Sequence, residues 1–352
     1  MSPSAPGTDF TSALFLGQRH PSRGLRPWEE FTTGVPAALR ESPAAGMLAS
    51  AIAGRQHAAS GLVARSALHG LMDLMETLPG PGDLLLVDEG AYPLARWACS
   101  AAESRGVRVT TFPHHHPPTG QSKARTWLVT DGWCQGCGFP APLARMQAIV
   151  RGGGGRVIVD DSLAFGMLGL RTGGSLFGDG TGTVRWSGLD HDGFIWLASL
   201  AKAYGTPLTV ITGDEPAIRE VAGRGSNRLH SSPPSAADLG AGLDTLADDE
   251  RITAMRTRLC LLTRWLRRAF TELGLPPQGR PFPIVGTRIE SLALARQWQR
   301  GLAERGIQAL VQLPRCHPEP VLSVVVRADH RQADLDRLVR ALADTTRDRR
   351  AA

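Results

Sequence analysis

Lys202 lies in WLASLAKAYGTPLTV (196–210) and is one of only two lysines in a chain with 39 Lys plus Arg. Arginine can replace lysine in most surface ion pairs, but its guanidinium stays protonated and cannot condense with a carbonyl. A lysine kept where arginine has taken nearly every other position points to amine chemistry, the formation of an imine. The other lysine, Lys123 in TGQSKARTW, precedes an apolar run and reads as a surface residue. Other reactive types end neighbouring apolar runs. RVIVDD (156–161) ends in Asp160 and Asp161, TWLVTD (126–131) in Asp131 and FIWLAS (194–199) in Ser199, while DLLLVDEGAY runs on to Tyr92. An imine-forming amine, a carboxylate to keep a ring nitrogen protonated and an aromatic to cover the ring together suit pyridoxal phosphate.

Six short apolar runs must position these groups: DLLLVD (83–88), VRVTTF (107–112), TWLVTD, RVIVDD, FIWLAS and LTVITG (208–213). Amphipathic stretches such as ARWACSAAES and APLARMQAIV lie between them, the latter with Pro142 placed to start a helix. Near-continuous apolar strands alternating with helices predict an α/β fold, a mostly parallel sheet covered on both faces. Ligands of such sheets collect at the carboxyl ends of the strands, where the candidate residues fall. After residue 231 the texture becomes α+β. A helical stretch (235–273) leads to PFPIVGTR, a helix near 290–305, QALVQLP, VLSVVVR and a last helix, QADLDRLVRALADTT. The expected division is an N-terminal arm (1–45) rich in Pro, Gly and Ser, a large domain (46–230) and a small C-terminal domain (231–352).

Composition narrows the function. With 42% hydrophobic and 20% charged residues the chain is of the soluble globular type. It has no apolar run of the roughly 18 residues that span a bilayer. Its first residues lack a signal peptide's basic start and apolar core, so a cytoplasmic protein is expected. The five cysteines are odd in number and scattered, which fits a reducing compartment. The net charge of +6 comes from arginines interspersed with acids, without interleaved aromatics, so no nucleic-acid partner is expected. CQGC (134–137) is a lone CxxC with no second ligand pair and reads as loop rather than metal site. HHHPP (114–118) also reads as loop. RGGGGR (151–156) precedes a strand instead of opening a helix, so it is no phosphate cradle.

Four segments carry a resemblance. VDDSLAFGMLG (159–169), SLAKAYG (199–205), VTDGWCQGCGFPAPL (129–143) and DEGAYPLARWA (88–98) occur in this order, with TFPHHH and PFPIVG in support. Together they resemble fold-type I pyridoxal-phosphate enzymes of the aminotransferase class I/II superfamily, in particular the α-oxoamine synthases that include 8-amino-7-oxononanoate synthase. The resemblance covers roughly residues 58–345. It implies that Lys202 is the imine lysine, that Asp160 partners the pyridine nitrogen and that Tyr92 stacks on the ring where the synthases use His. Ser199 would bind phosphate through its hydroxyl. Gly61 and Leu62 would offer backbone N–H groups to the phosphate, helped by a helix N-terminus. Ser231 and Ser232 match a segment that reaches the phosphate of a neighbouring subunit, and Asp131 takes the place of an active-site Glu.

The chain departs from the synthases at Leu163, where they have a His beside the cofactor's 3′ oxygen, and at Ser323, where they have an arginine for the substrate carboxylate. GPGDLLLVDEGAYP reads more like an aminotransferase. The resemblance implies a homodimer with shared sites, acting on an amino-bearing small molecule and a second small-molecule electrophile. Through an external imine and a Cα carbanion it would form a C–C bond, in specialised metabolism. Transamination and β- or γ-elimination with replacement are the rival reactions. A cofactor-binding regulator is the non-enzymatic one, although such regulators place a DNA-binding helical domain where this chain has a Pro/Gly-rich segment.

Overall fold

The computed structural model describes residues 7–18, 35–120, 122–171 and 175–350. They form two compact units, one of residues 18–133 and 140–250, the other of residues up to 17, 134–139 and from 251 on. The first strand, β1 (Thr8–Asp9), belongs to the smaller unit. The larger unit then alternates α1 (Pro43–Gln56), β2 (Ser60–Ala64), α2 (Ala67–Thr77), β3 (Leu84–Asp88), α3 (Pro93–Glu103), β4 (Arg108–Phe112), β5 (Thr126–Asp131), α4 (Leu143–Val150) and β6 (Val157–Asp160). It continues with α5 (Thr183–Trp186), β7 (Phe194–Ser199), β8 (Thr209–Gly213), α6 (Glu215–Arg224), α7 (Ser226–His230) and α8 (Ala236–Ala247).

The seven strands of this unit run in the order β2-β8-β7-β6-β5-β3-β4. Strands β3 to β7 are mutually parallel, whereas β8 is antiparallel to both β7 and β2. The mostly parallel α/β sheet expected from the apolar runs is therefore present, with each run within a residue of its strand. Val157–Val159 and Phe194–Ala198 are inaccessible to solvent, which is why these segments are apolar throughout rather than alternating. From β3 the chain steps outward to β4, then returns to β5 on the other side of β3. The order thus reverses between β3 and β5, the kind of switch point where open α/β sheets bind ligands. Asp88 and Asp131 end the two strands that flank it.

The smaller unit holds α9 (Asp249–Glu272) from Arg251 on, β9 (Ile284–Arg288), α10 (Leu292–Glu304), β10 (Ile307–Gln308), β11 (Leu310–Gln312), β12 (Val321–Val325) and α11 (Gln332–Arg350). Its antiparallel sheet has the order β11-β12-β9, and β1 pairs in parallel with β10. The described part of the expected arm, residues 7–17, is core rather than arm. Phe10, Phe15 and Leu16 are fully buried, Phe10 against His330 (ring centroids 4.5 Å apart) and Phe15 edge-on to Phe282 (5.7 Å). The surrounding Pro, Gly and Ser obscured three bulky apolar residues that need cover. Residues 19–34 of that segment lie outside the described residues. The division at the other end falls at residue 250 rather than 230, because α8 packs on α1. A Cβ at Gly242 would stand 3.1 Å from the Leu48 side chain. Among the described residues no helix is long and apolar enough to cross a membrane.

Candidate active site

The carboxyl-end rim of the large sheet brings the chemistry-bearing residues together. In the β5–β6 ladder Asp131 lies directly opposite Asp160. Asp88 closes β3, Ser199 closes β7, and the turn from β7 to β8 carries Lys202. Tyr92 follows β3 at the N-cap of α3, ahead of Pro93, and its backbone N–H donates to Asp131 Oδ2 (3.0 Å). Tyr92 stays 52% exposed.

Asp131 Oδ1 is buried and has no hydrogen-bond partner among the described residues. Loss of water pushes the Asp131 carboxyl well above the usual carboxylate range, and Asp160 beside it pushes further, while Lys202 pulls the other way. Two carboxylates thus adjoin on the rim, and the charge of Lys202 reaches Asp131. Asp161 has a different task. It is fully buried and accepts from Thr183 N–H (2.7 Å), Thr183 Oγ1 (2.8 Å) and Trp196 Nε1 (2.8 Å). Burial raises it to about 6 despite these donors. It ties the start of α5 to β7, whereas Asp160 is half-buried, its Oδ1 accepts from Ser162 N–H (3.0 Å), and it is the aspartate in register with Asp131.

Local packing shapes the Lys202 turn. Leu200 N–H donates to Leu208 O (2.7 Å), Thr206 N–H to Leu200 O (3.2 Å) and Ala201 N–H to Ser199 Oγ (3.3 Å). Ser162 Oγ accepts from Ser199 N–H (2.9 Å), stitching the turn to the loop after β6. Gly166, at φ +81°, lets that loop approach, since a Cβ there would fall 2.6 Å from Ala203 Cβ. Phe165 meets Trp196 edge-on (4.6 Å) and Tyr204 at a tilt (5.2 Å). The FGMLG and AKAYG segments are therefore two halves of one contact.

HHHPP contributes more than the loop expected of it. His114 Nδ1 lies 2.7 Å from Asp88 Oδ1, and the fully buried Asp88 also accepts from Gly90 N–H (2.8 Å) and Thr130 Oγ1 (3.1 Å). Burial works to raise the Asp88 carboxyl, but the hydrogen bond and charge of His114 hold it below its ordinary value. A side chain at Gly90 would strike the His114 ring. His115, at φ +59°, stacks on His114 (3.7 Å), and burial followed by His114 lowers it to about 4. The available signal was positional: TFPHHH leaves the strand next to the one that ends in Asp88.

The aminotransferase class I and II family profile matches residues 61–342. The chain belongs to the aminotransferase class I and II family. A putative 8-amino-7-oxononanoate synthase of Thermosynechococcus vestitus is 28% identical over 97% of this chain and 89% of its own length. An 8-amino-7-oxononanoate synthase of Pseudomonas putida KT2440 is 29% identical over 68% of this chain and 61% of its own. The fold is that of serine palmitoyltransferase from S. paucimobilis, with TM-score 0.84 and 15% identity over 97% of this chain and 88% of that one. The Francisella tularensis 8-amino-7-oxononanoate synthase gives TM-score 0.77 and 15% identity over 97% and 98%. These matches bear out the expected fold-type I family, its likeness to the α-oxoamine synthases, pyridoxal phosphate as cofactor and a transferase.

This aminotransferase-family rim fits the cofactor. The orphaned Asp131 oxygen and the paired carboxylates call for a proton donor or cation, which a protonated pyridine nitrogen supplies, and the exposed Tyr92 ring offers a flat apolar face. Gly61 and Leu62 do not sit where the resemblance set them. They pair with Thr212 and Ile211 inside β2, while Ala64, opposite Thr209, is the β2 residue level with Ser199. Gly61 is glycine for packing, since a Cβ would stand 2.8 Å from the Ala49 carbonyl oxygen of α1. The helix N-terminus next to β2 is that of α2, capped by Ser66 Oγ, which accepts from His69 N–H (3.3 Å). Leu62, Ser231 and Ser232 line a small pocket with Arg65 and His69, and Ser231 Oγ donates back to Asn227 O. Leu163 is half-buried, and Ser323 is buried in β12 with Oγ donating to Gln312 Oε1 (3.2 Å).

Proposed function

We propose that the protein joins an amino-acid-type substrate, at its Cα, to a second small-molecule electrophile such as an acyl thioester. The observation that carries the reading is the register that sets Asp131 against Asp160 on the rim that also bears Lys202. The 8-amino-7-oxononanoate synthases among its relatives support the reaction type. Bound pyridoxal phosphate supplies an electron sink in conjugation with Cα. The Lys202 amine would hold the cofactor's aldehyde carbon and move the proton at Cα, on the same rim as Asp131 and Asp160. Asp160 keeps the proton on the ring nitrogen, Asp131 backs Asp160 and ties down the Tyr92 backbone, and the Tyr92 ring covers the cofactor.

The phosphate would rest on the Ser199 hydroxyl and the N-terminus of α2, where the helix dipole favours an anion. Ser231 and Ser232 complete the neighbouring site in a homodimer. The reading places the enzyme in the cytoplasm and in specialised metabolism. Leu163 and Ser323 replace side chains that would hold cofactor and substrate in the synthases, so the amino substrate differs from theirs. Amino acids paired with acyl thioesters, followed by mass spectrometry, test the reaction. The expected product carries both substrate skeletons and disappears in Lys202→Ala. Accumulation of the pyridoxamine form with an amino donor alone would mark a transaminase instead.

A further inference from the structure

The CxxC of residues 134–137 is not alone in the fold. Cys316, 182 residues from Cys134 in sequence, brings its Sγ to 3.7 Å from Cys134 Sγ, and the Sγ atoms of Cys134, Cys137 and Cys316 all lie within 4.8 Å of one another. All three belong to the smaller unit. A disulfide needs about 2.05 Å between sulfurs. Four thiolates around Zn²⁺ at about 2.3 Å stand roughly 3.8 Å apart along each edge of the tetrahedron. The observed separation is that of co-ligands, not of a bond.

The turn between the cysteines is shaped for the same purpose. Cys137 N–H donates to Cys134 Sγ (3.4 Å), which folds the turn around that sulfur. Gly136 leaves room for the third sulfur, since a Cβ there would fall 2.7 Å from Cys316 Sγ and 2.5 Å from Pro314 Cβ. The turn is clamped from outside. Cys134 N–H donates to Phe139 O (3.0 Å), Gly138 N–H to Cys134 O (2.9 Å), Arg280 N–H to Gly138 O (2.8 Å) and Gln278 Nε2 to Gly136 O. His317 Nε2 lies 3.3 Å from that same Gly136 carbonyl. Cys134 is buried, whereas Cys137 and Cys316 are part-exposed and give an ion a way in.

We propose that Cys134, Cys137 and Cys316 form a binding site for a thiophilic divalent metal, with Zn²⁺ as the ion of matching size and softness. Binding releases the three thiol protons, with no change in oxidation state.

The test titrates reduced, metal-stripped, full-length protein with ZnCl₂ against a chromophoric chelator, with native mass spectrometry for stoichiometry and Co²⁺ as a spectroscopic substitute. One metal per chain is expected, with the ligand-field bands of thiolate-bound tetrahedral Co²⁺. Cys316→Ser and Cys137→Ser should weaken binding by more than the roughly 10–100-fold that loss of an outer-shell partner costs. Gly136→Ala keeps every thiol and should weaken binding as well, by displacing Cys316. Cys260→Ser should bind as the parent does, and far-UV circular dichroism confirms that each variant is folded. Absence of one-to-one binding, or binding unchanged in folded Cys316→Ser, would overturn the proposal. So would a Cys134–Cys316 disulfide that forms in place of metal uptake.

Discussion

Asp131 keeps a carboxyl where burial and Asp160 both oppose its charge, the kind of local disadvantage a site tolerates for function. Asp131→Asn should leave the fold intact and raise the stability of the cofactor-free protein by about 1 kcal/mol while lowering turnover. Chemical denaturation and initial rates read the two effects separately. Asp160→Asn keeps the shape but no longer holds the ring proton, and turnover should fall roughly 100-fold or more. Its neighbour should respond in stability instead. Asp161→Ala strands two backbone or side-chain donors of Thr183 and the Trp196 indole N–H in a dry interior, at a cost of about 3 kcal/mol or more. An Asp161→Ala protein as stable as the parent would contradict the division of labour between adjacent aspartates.

At the scale of elements, Gly166 controls how close the loop after β6 comes to the Lys202 turn. Gly166→Ala combines a left-handed φ with a contact of 2.6 Å, so it should cost roughly 2 kcal/mol and weaken cofactor binding, measured by absorbance titration. The strands were legible in the sequence because buried parallel strands are apolar from end to end, and their polar ends marked Asp131, Asp160 and Ser199. Register was not legible, yet register sets Asp131 against Asp160 and leaves Gly61 three residues below the rim. The SGLVA strand, β2, lacked the long apolar run of the others and passed for a phosphate loop. His114 escaped because its partner, Asp88, reaches it across parallel strands 26 residues apart in sequence. Cys316 escaped for the same reason, being distant in sequence from CQGC.

Across the whole molecule, buried histidines set the acid limit. Burial holds His191, beside Thr212 Oγ1 (3.3 Å), down at about 4 against an ordinary 6.5. A depressed pKa contributes stability that is complete above 6.5 and is lost as pH falls through about 4. The melting temperature should therefore drop between pH 7 and pH 5, and His191→Gln should flatten that slope. Asp161, raised to about 6, acts in the opposite sense and loses its contribution as pH rises through that value. In solution the active species should have twice the 37.6 kDa chain mass by sedimentation equilibrium, and a monomer with full activity would contradict shared sites.

Lys202 is to hold pyridoxal phosphate on the rim built by Asp131 and Asp160. The direct measurement is the visible absorbance of the purified protein with pyridoxal phosphate, compared with folded Lys202→Ala. A visible band in the parent that borohydride reduction fixes to the peptide containing Lys202, and that is absent from the variant, is the predicted result. A parent that stays colourless, or a variant with the same band, would contradict it.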